Sequence, residues 1–324
     1  MVKKTLGCLF AVLVCITCFG PSASIAAWPE RPISIIVPAS AGGGTDFNAR
    51  LVAKILEKDL KVPVNCINRT GGGGVVGHQA IADAAPDGYT IGYLMLELSG
   101  MHWAGLTNLD YRNYALLGQL TSVAGGIFVQ TSSPYKTADD LLKAVKANPG
   151  KLKASGSGLG GPWHLALAGM LEAVGMKAKD VVFVPMQGAA PSLLDLVAGG
   201  LDLVVCAPAE ARAMLDAGKV RGLAYLANER NPVFPNIPTF KEATGSSFTL
   251  DAWGGVGAPK GLPNDVNEKL VQAIKRVYDS NEFKDVMMKA GKGITYKGPK
   301  EFFEFLAEMD KNYGNVMKAV GIAK

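Results

Sequence analysis

Apolar positions along this chain switch repeatedly between two spacings. Residues 33–37 form a β-branched run behind Pro32, the pattern of a short buried strand. Residues 47–60 then place apolar side chains at 47, 51, 52, 55, 56 and 60, the three-and-four spacing of a helix lying on a core. A strand is expected at 62–67, a short helix at 77–84 and a third strand at 90–96. Strand, helix, strand, helix, strand is the order of a parallel sheet with helices on both faces.

The alternation resumes further on. Strands are expected at 126–130, 151–154, 181–185, 201–206 and 220–226, separated by helices at 137–147, 163–174, 191–198 and 208–217. The first of these helices opens on Thr137 and Asp140 at capping-box spacing and stops at Asn148-Pro149-Gly150. A proline-rich loop over 231–238 precedes a strand at 253–258, an amphipathic helix at 265–278 with apolar residues at 266, 270, 274 and 277, and helices at 281–290 and 299–320. Two α/β lobes follow from this alternation, with chain crossings near 121–125 and 248–252.

The N-terminus reads differently. Lys3 and Lys4 precede a 15-residue apolar run over 6–20, then Ser22-Ala23-Ser24-Ile25-Ala26-Ala27. That is a secretory signal peptide cleaved after Ala26 or Ala27; the run is shorter than the roughly 20 apolar residues of a spanning helix. The whole 324-residue chain, 48% hydrophobic and 19% charged, has the composition of an ordered globular protein. The expectation is therefore an exported protein. Three of the five cysteines lie in the leader, leaving Cys66 and Cys206, which fall in different lobes and read as buried thiols. Net charge is +5, and +3 without Lys3 and Lys4. Acids and bases are interspersed with no basic block, which excludes an obvious nucleic-acid surface and suits an anionic ligand.

Four glycine-rich or small-residue loops each follow a strand and open a helix. Helix N-termini offer unpaired N–H groups and partial positive charge, so such loops hold anions without a basic side chain. The first is Pro38-Ala39-Ser40-Ala41-Gly42-Gly43-Gly44-Thr45-Asp46: its amides from Ser40 to Gly44 and the Ser40 and Thr45 hydroxyls can bind a carboxylate, with Asp46 as cap or water holder, or it is a plain turn. The second, Asn68 through Gly77, fits G-x-G-x-x-G at Gly72, Gly74 and Gly77, but four consecutive glycines match many patterns and the better reading is a tight loop. The third, Ser155 through His164, repeats the design of the first in the other lobe; the fourth is Met186-Gln187-Gly188-Ala189-Ala190-Pro191. Ligands of open α/β sheets sit beyond the carboxyl ends of the strands, so facing lobes would present these loops to one cleft. His78, His102 and His164 lie at no metal-ligand spacing, and neither a G-x-S-x-G elbow nor a P-loop occurs. No metal and no cofactor are expected.

Several segments together carry a family resemblance: Trp28-Pro29-Glu30-Arg31-Pro32-Ile33, Gly42-Gly43-Gly44-Thr45-Asp46, Asn68-Arg69, Ala85-Pro86-Asp87-Gly88-Tyr89-Thr90, Gly161-Pro162-Trp163-His164-Leu165-Ala166, Gly199-Gly200-Leu201-Asp202 and Pro235-Asn236-Ile237-Pro238-Thr239. Over essentially all of the chain after the leader, this resembles the Bug family, the periplasmic receptors of tripartite tricarboxylate transporters. The resemblance implies two Rossmann-like lobes with a central ligand cleft, a type II periplasmic-binding-protein architecture, with residues 1–27 as signal peptide, 28–124 plus 252–324 as one lobe and 125–251 as the other. It implies a small carboxylate ligand, gripped at positions matching Ala39, Ser40, Gly43 and Asp46 in the first lobe and Ser155, Gly158, His164, Gln187 and Ala190 in the second. It also implies one small and one large membrane transporter subunit as partners, and no catalysis. Departures are the small residues Ala39-Ser40-Ala41, the bulky Trp163, and the stretch 94–103, where Glu97 either faces the cleft and favours a ligand with an amino group or is solvated or capping. The competing readings are a periplasmic enzyme using His164 with nearby serines, and a sensor handing its closed form to a signalling partner.

Overall fold

The structure, a computed structural model, describes residues 28–186 and 188–323. The expected leader, the Gln187 position and the terminal lysine lie outside the described residues. The chain begins with β1 (Ile33–Val37), α1 (Gly44–Leu60), β2 (Val64–Asn68), α2 (Val75–Ala82), β3 (Thr90–Met95) and β4 (Tyr114–Ala124). β1 pairs in parallel with β2 and β3, as the alternation predicts. A long excursion follows: β5 (Gly126–Gln130), α3 (Ala138–Ala147), β6 (Lys153–Ser155), α4 (Pro162–Ala173), β7 (Val182–Phe183), α5 (Ala189–Ala198), β8 (Leu203–Cys206), α6 (Pro208–Asp216), β9 (Val220–Tyr225) and α7 (Phe240–Thr244). The chain then returns through β10 (Asp251–Pro259), α8 (Asn264–Asp279), α9 (Asn281–Lys289), β11 (Ile294–Lys297) and α10 (Pro299–Ala319).

Two sheets result. The first has the order β11-β4-β10-β3-β1-β2 and the second β7-β6-β8-β5-β9. Neither is wholly parallel, and this corrects the expectation of a parallel sheet. β10 runs antiparallel between β3 and β4, and β5 runs antiparallel between β8 and β9. The reason is connectivity: β4 passes into β5 through the single residue Gly125, and β10 re-enters the first sheet from the opposite direction. Helix periodicity carries no information about such returns.

Local rules account for the element ends. Thr137 and Asp140 form the expected capping box, the Asp140 N–H donating to Thr137 Oγ1 at 3.1 Å and the Thr137 N–H to Asp140 Oδ2 at 3.0 Å. On α8 the buried residues are Val266, Leu270, Ala273, Ile274 and Val277, one stripe at helical spacing. That stripe and the buried face of α1 (Ala49, Val52, Ala53, Leu56) share a core with Ile33, Ile35 and Ile91 of the first sheet. A larger core fills the second lobe and runs along α10, which packs on β4 and on α4. Phe302 of α10 is fully buried and meets Trp253 edge-on, ring centroids 5.6 Å apart. No described helix is long and apolar enough to cross a membrane. Cys66 and Cys206 are free, and burial pushes the Cys66 thiol up to about 11.

Candidate functional site

A cavity of about 420 Å³ lies between the lobes, within the range of small-molecule sites. The first lobe contributes Gly44, Thr45 and Asn48 from the opening of α1, Tyr93 and Met95 from the carboxyl end of β3, Glu97 from the 3-10 turn that follows, Thr121 from β4, and Trp253 from β10. Lys292 enters from the loop between α9 and β11. Facing them in the second lobe are Pro162 and Trp163 at the start of α4 and Ala207, Ala209 and Glu210 at the start of α6. Three helix N-termini thus border one space, each bringing N–H groups free of helical partners.

The walls are held by polar pairs. Tyr93 and Thr121 join through their hydroxyls at 3.1 Å, and Trp253 Nε1 donates to Ser99 Oγ at 3.2 Å. The titratable groups differ sharply in setting. Lys292 is half-buried; a methyl placed on Gly44 would lie 3.2 Å from its Nζ, so the ammonium sits over the first turn of α1. Burial lowers its pKa, and the opposite charge of Glu210 works against that. Glu210 is exposed at the start of α6, yet the protein packed around it raises its carboxyl by desolvation, while the Ala207 N–H donated to Oε2 at 2.8 Å and the nearby Lys292 lower it. Glu97 is half-buried, has no ion-pair partner among the described residues, and is pushed up by burial. It borders the cavity, as the first of its two sequence readings placed it.

The sequence-expected residues occupy the loops beside this cavity, and none of the eight described ones lines it directly. Ala39 and Ser40 form the turn before α1: Asn68 Nδ2 donates to the Ala39 carbonyl at 2.9 Å, and the Gly43 N–H donates to the Ser40 carbonyl at 3.3 Å. Ser40 and Gly43 are exposed. Asp46 turns inward and accepts from Arg50 Nε at 2.9 Å, the Gly42 N–H at 2.8 Å and Asn68 Nδ2 at 2.8 Å. The loop reaches the cavity through the next residues, Gly44 and Thr45. In the second lobe Ser155 Oγ pairs with Ser192 Oγ at 2.9 Å, and Gly158 is exposed. His164 Nδ1 accepts the Gly160 N–H at 3.0 Å and its ring packs on Phe183 at 4.3 Å, while burial lowers its pKa. An acceptor Nδ1 fits the neutral ring that burial favours. His164 thereby closes its own glycine loop. Ala190 is exposed in the first turn of α5. Among the described residues no group of three or more His, Cys, Asp or Glu could hold a metal ion.

The bonds to Asp46 give a measurable consequence. The Arg50 hydrogen bond, with help from Gly42 and Asn68, lowers its carboxyl to about 2. A depressed folded pKa contributes stability that is present above the ordinary range near 3.8 and is lost as pH falls toward about 2. Asp46→Asn is expected to lower urea-unfolding stability by about 1–2 kcal/mol at pH 7. The gap between variant and wild type should close as pH is taken from 5 to about 2.

Two α/β lobes with a cavity at the helix N-termini between them define a solute-binding protein of the periplasmic-binding-protein fold. Comparison with known proteins agrees. The model of the tripartite tricarboxylate transporter family receptor, TctC, matches residues 48–322, and the chain belongs to that family. It is 31% identical over 305 residues to Protein BugT of Bordetella pertussis, covering 91% of this chain and 90% of that one. A TctC solute-binding protein from Polaromonas superposes with a TM-score of 0.81 at 28% identity, over 90% of this chain and 99% of its own. MatC from Rhodopseudomonas palustris, solved with bound malate, superposes with a TM-score of 0.72 at 27% identity, over 89% and 99%.

The sequence reading missed Asn48, Tyr93, Thr121, Glu210, Trp253 and Lys292. Lys292 lies in a loop with no motif around it, and Thr121 sits on a strand whose burial leaves no alternation to read.

Proposed function

We propose that this chain is a periplasmic receptor that captures a small carboxylate between its lobes and delivers it to a tripartite tricarboxylate-type membrane transporter, without transforming it. One observation carries the reading: the Lys292 ammonium lies over the amino end of α1, inside a cavity walled by both lobes. An ammonium and free helix N–H groups converging on one space form a site for an anion. Malate in the related MatC supports a carboxylate as that anion.

The lobes are taken as residues 28–124 with 252–324 and residues 125–251, after removal of a leader ending near residue 27. Closure about the two crossings brings the Ser40–Gly43 turn and the Ser155–Gly158 loop toward the bound acid, where their amides, with Asp46, His164 and Ala190 behind them, complete the enclosure. Binding then shifts the population toward a closed form that the membrane subunits recognise.

The test is a thermal-shift screen of small carboxylic acids beside their matching amides. An acid at 100 times its dissociation constant stabilises the protein by about 2.7 kcal/mol and raises the midpoint by several degrees. Hits among acids, lost for the amides, with the compound recovered unchanged in mass, are the expected result. Conversion to a product, or stabilisation by amides and acids alike, would overturn the receptor reading or its carboxylate.

A further inference from the structure

The cleft does not end at Glu97. A second cavity of about 330 Å³ shares Leu96, Glu97 and Pro162 as walls with the first, so the two adjoin at these residues. Its character is different. Met101, Leu165, Met317 and Ile322 make it largely apolar; Tyr313 of α10 lines it and a neighbouring cavity, and the buried Tyr313 hydroxyl has no hydrogen-bond partner among the described residues. Tyr313 is only 3% exposed. At the mouth stand Leu106 and Leu159, exposed leucines from opposite lobes.

We propose that the second cavity takes the tail of the ligand, so that the captured molecule is an amphipathic acid: its carboxylate beside Lys292 and the start of α1, its hydrocarbon chain or ring passing Glu97 to lie against Met101, Leu165 and Met317. The inference rests on the receptor reading and adds the substrate class. Three features fit it together. A cavity holding Lys292 and helix N-termini, followed by a more apolar one, matches a molecule with a charged head and an apolar tail. Largely apolar walls with a few polar groups, here Glu97 and Tyr313, are the usual make-up of a small-molecule site, the polar groups fixing orientation. An unpaired buried hydroxyl is unfavourable by itself, and a polar atom at the tip of the tail would pair it. Burial of Glu97, which favours its neutral form, suits a neck through which hydrocarbon passes. Leu106 and Leu159 then form lips that meet over the tail as the lobes close.

Titration calorimetry with propanoate, pentanoate and heptanoate tests this. Wild-type affinity should rise about fourfold per added methylene, the gain from burying each one. Ala104→Phe, which places a ring in the second cavity, should flatten the series so that heptanoate loses its advantage over propanoate. Should that variant not fold, Tyr313→Phe serves, because it removes one oxygen and keeps the ring. Wild type should bind para-hydroxyphenylpropanoate at least fivefold more tightly than phenylpropanoate, and Tyr313→Phe should erase that preference. Propanoate binding with no rise along the series overturns the tail compartment and leaves the receptor reading standing. So does a rise that survives Ala104→Phe intact. Binding of no acid of any length overturns both.

Discussion

Gly156→Ala is expected to abolish the folded second lobe, or to destabilise the protein by about 4 kcal/mol or more, while Gly158→Ala changes stability by less than about 1 kcal/mol. The two residues share one loop and differ in their surroundings. Gly156 has φ +153°, and a Cβ there would collide with the Val205 carbonyl oxygen and lie 2.9 Å from Trp163 Cβ. Neither obstacle yields easily. Val205 belongs to β8, paired to β5, and Trp163 is buried at the start of α4. Strain at a left-handed position adds to overpacking against backbone. Around Gly158 nothing lies within 4 Å of the added carbon. Chemical-denaturant unfolding of both variants reads the difference, and comparable losses would show that the loop's general flexibility, rather than the contact at Gly156, is what matters.

The second large effect concerns Lys292. Lys292→Met is expected to weaken binding of a stabilising acid by about 30-fold or more, since removing one side of an enclosed charge pair is worth about 2–5 kcal/mol. Folding should be little affected, because the ammonium is itself disfavoured by burial and makes no ion pair within 4 Å among the described residues. Calorimetry and a thermal melt on the same sample separate the two. Loss of binding with an unchanged melting midpoint places the anion at the α1 opening; binding within threefold of wild type would move it elsewhere in the cleft.

How much of this was legible beforehand depends on what each feature needs in order to show itself in one dimension. Helices with one buried stripe were read to within a few residues: α8, α9 and α10 fall where 265–278, 281–290 and 299–320 placed them. Helix starts fell late at α1, expected from residue 47 and observed from Gly44, because Gly43 caps with no side-chain hydrogen bond and gives no signal. β4 was not seen at all. Eight of its eleven residues are buried, among them Gln119 and Thr121, so neither alternation nor an unbroken apolar run betrays it. β11 is half-buried throughout and equally featureless.

The site divides in the same way. Loops that open helices were visible as glycine clusters, and Gly44, Thr45, Pro162 and Trp163 line the cavity beside the positions the resemblance supplied. What the linear reading cannot supply is which loops share a space. Glu210 sits at the start of an ordinary amphipathic helix and Lys292 in a turn; they converge because β10 returns the chain to the first sheet and α9 with its following loop swings over α1.

That return has a consequence for how the molecule is made. β10 lies between β3 and β4 in the finished sheet, yet it is synthesised only after the whole of the excursion from β5 to α7. Until it emerges, β3 has an unpaired edge, and β4, whose other neighbour β11 comes later still, has no partner in the sheet. The second lobe, by contrast, draws all five of its strands from one uninterrupted stretch, so its contacts are nearer in sequence and need no later segment to seal them. On emergence from a ribosome or a translocation pore the middle of the chain can therefore fold first, with both flanks held open until the carboxyl-terminal quarter arrives to stitch them together.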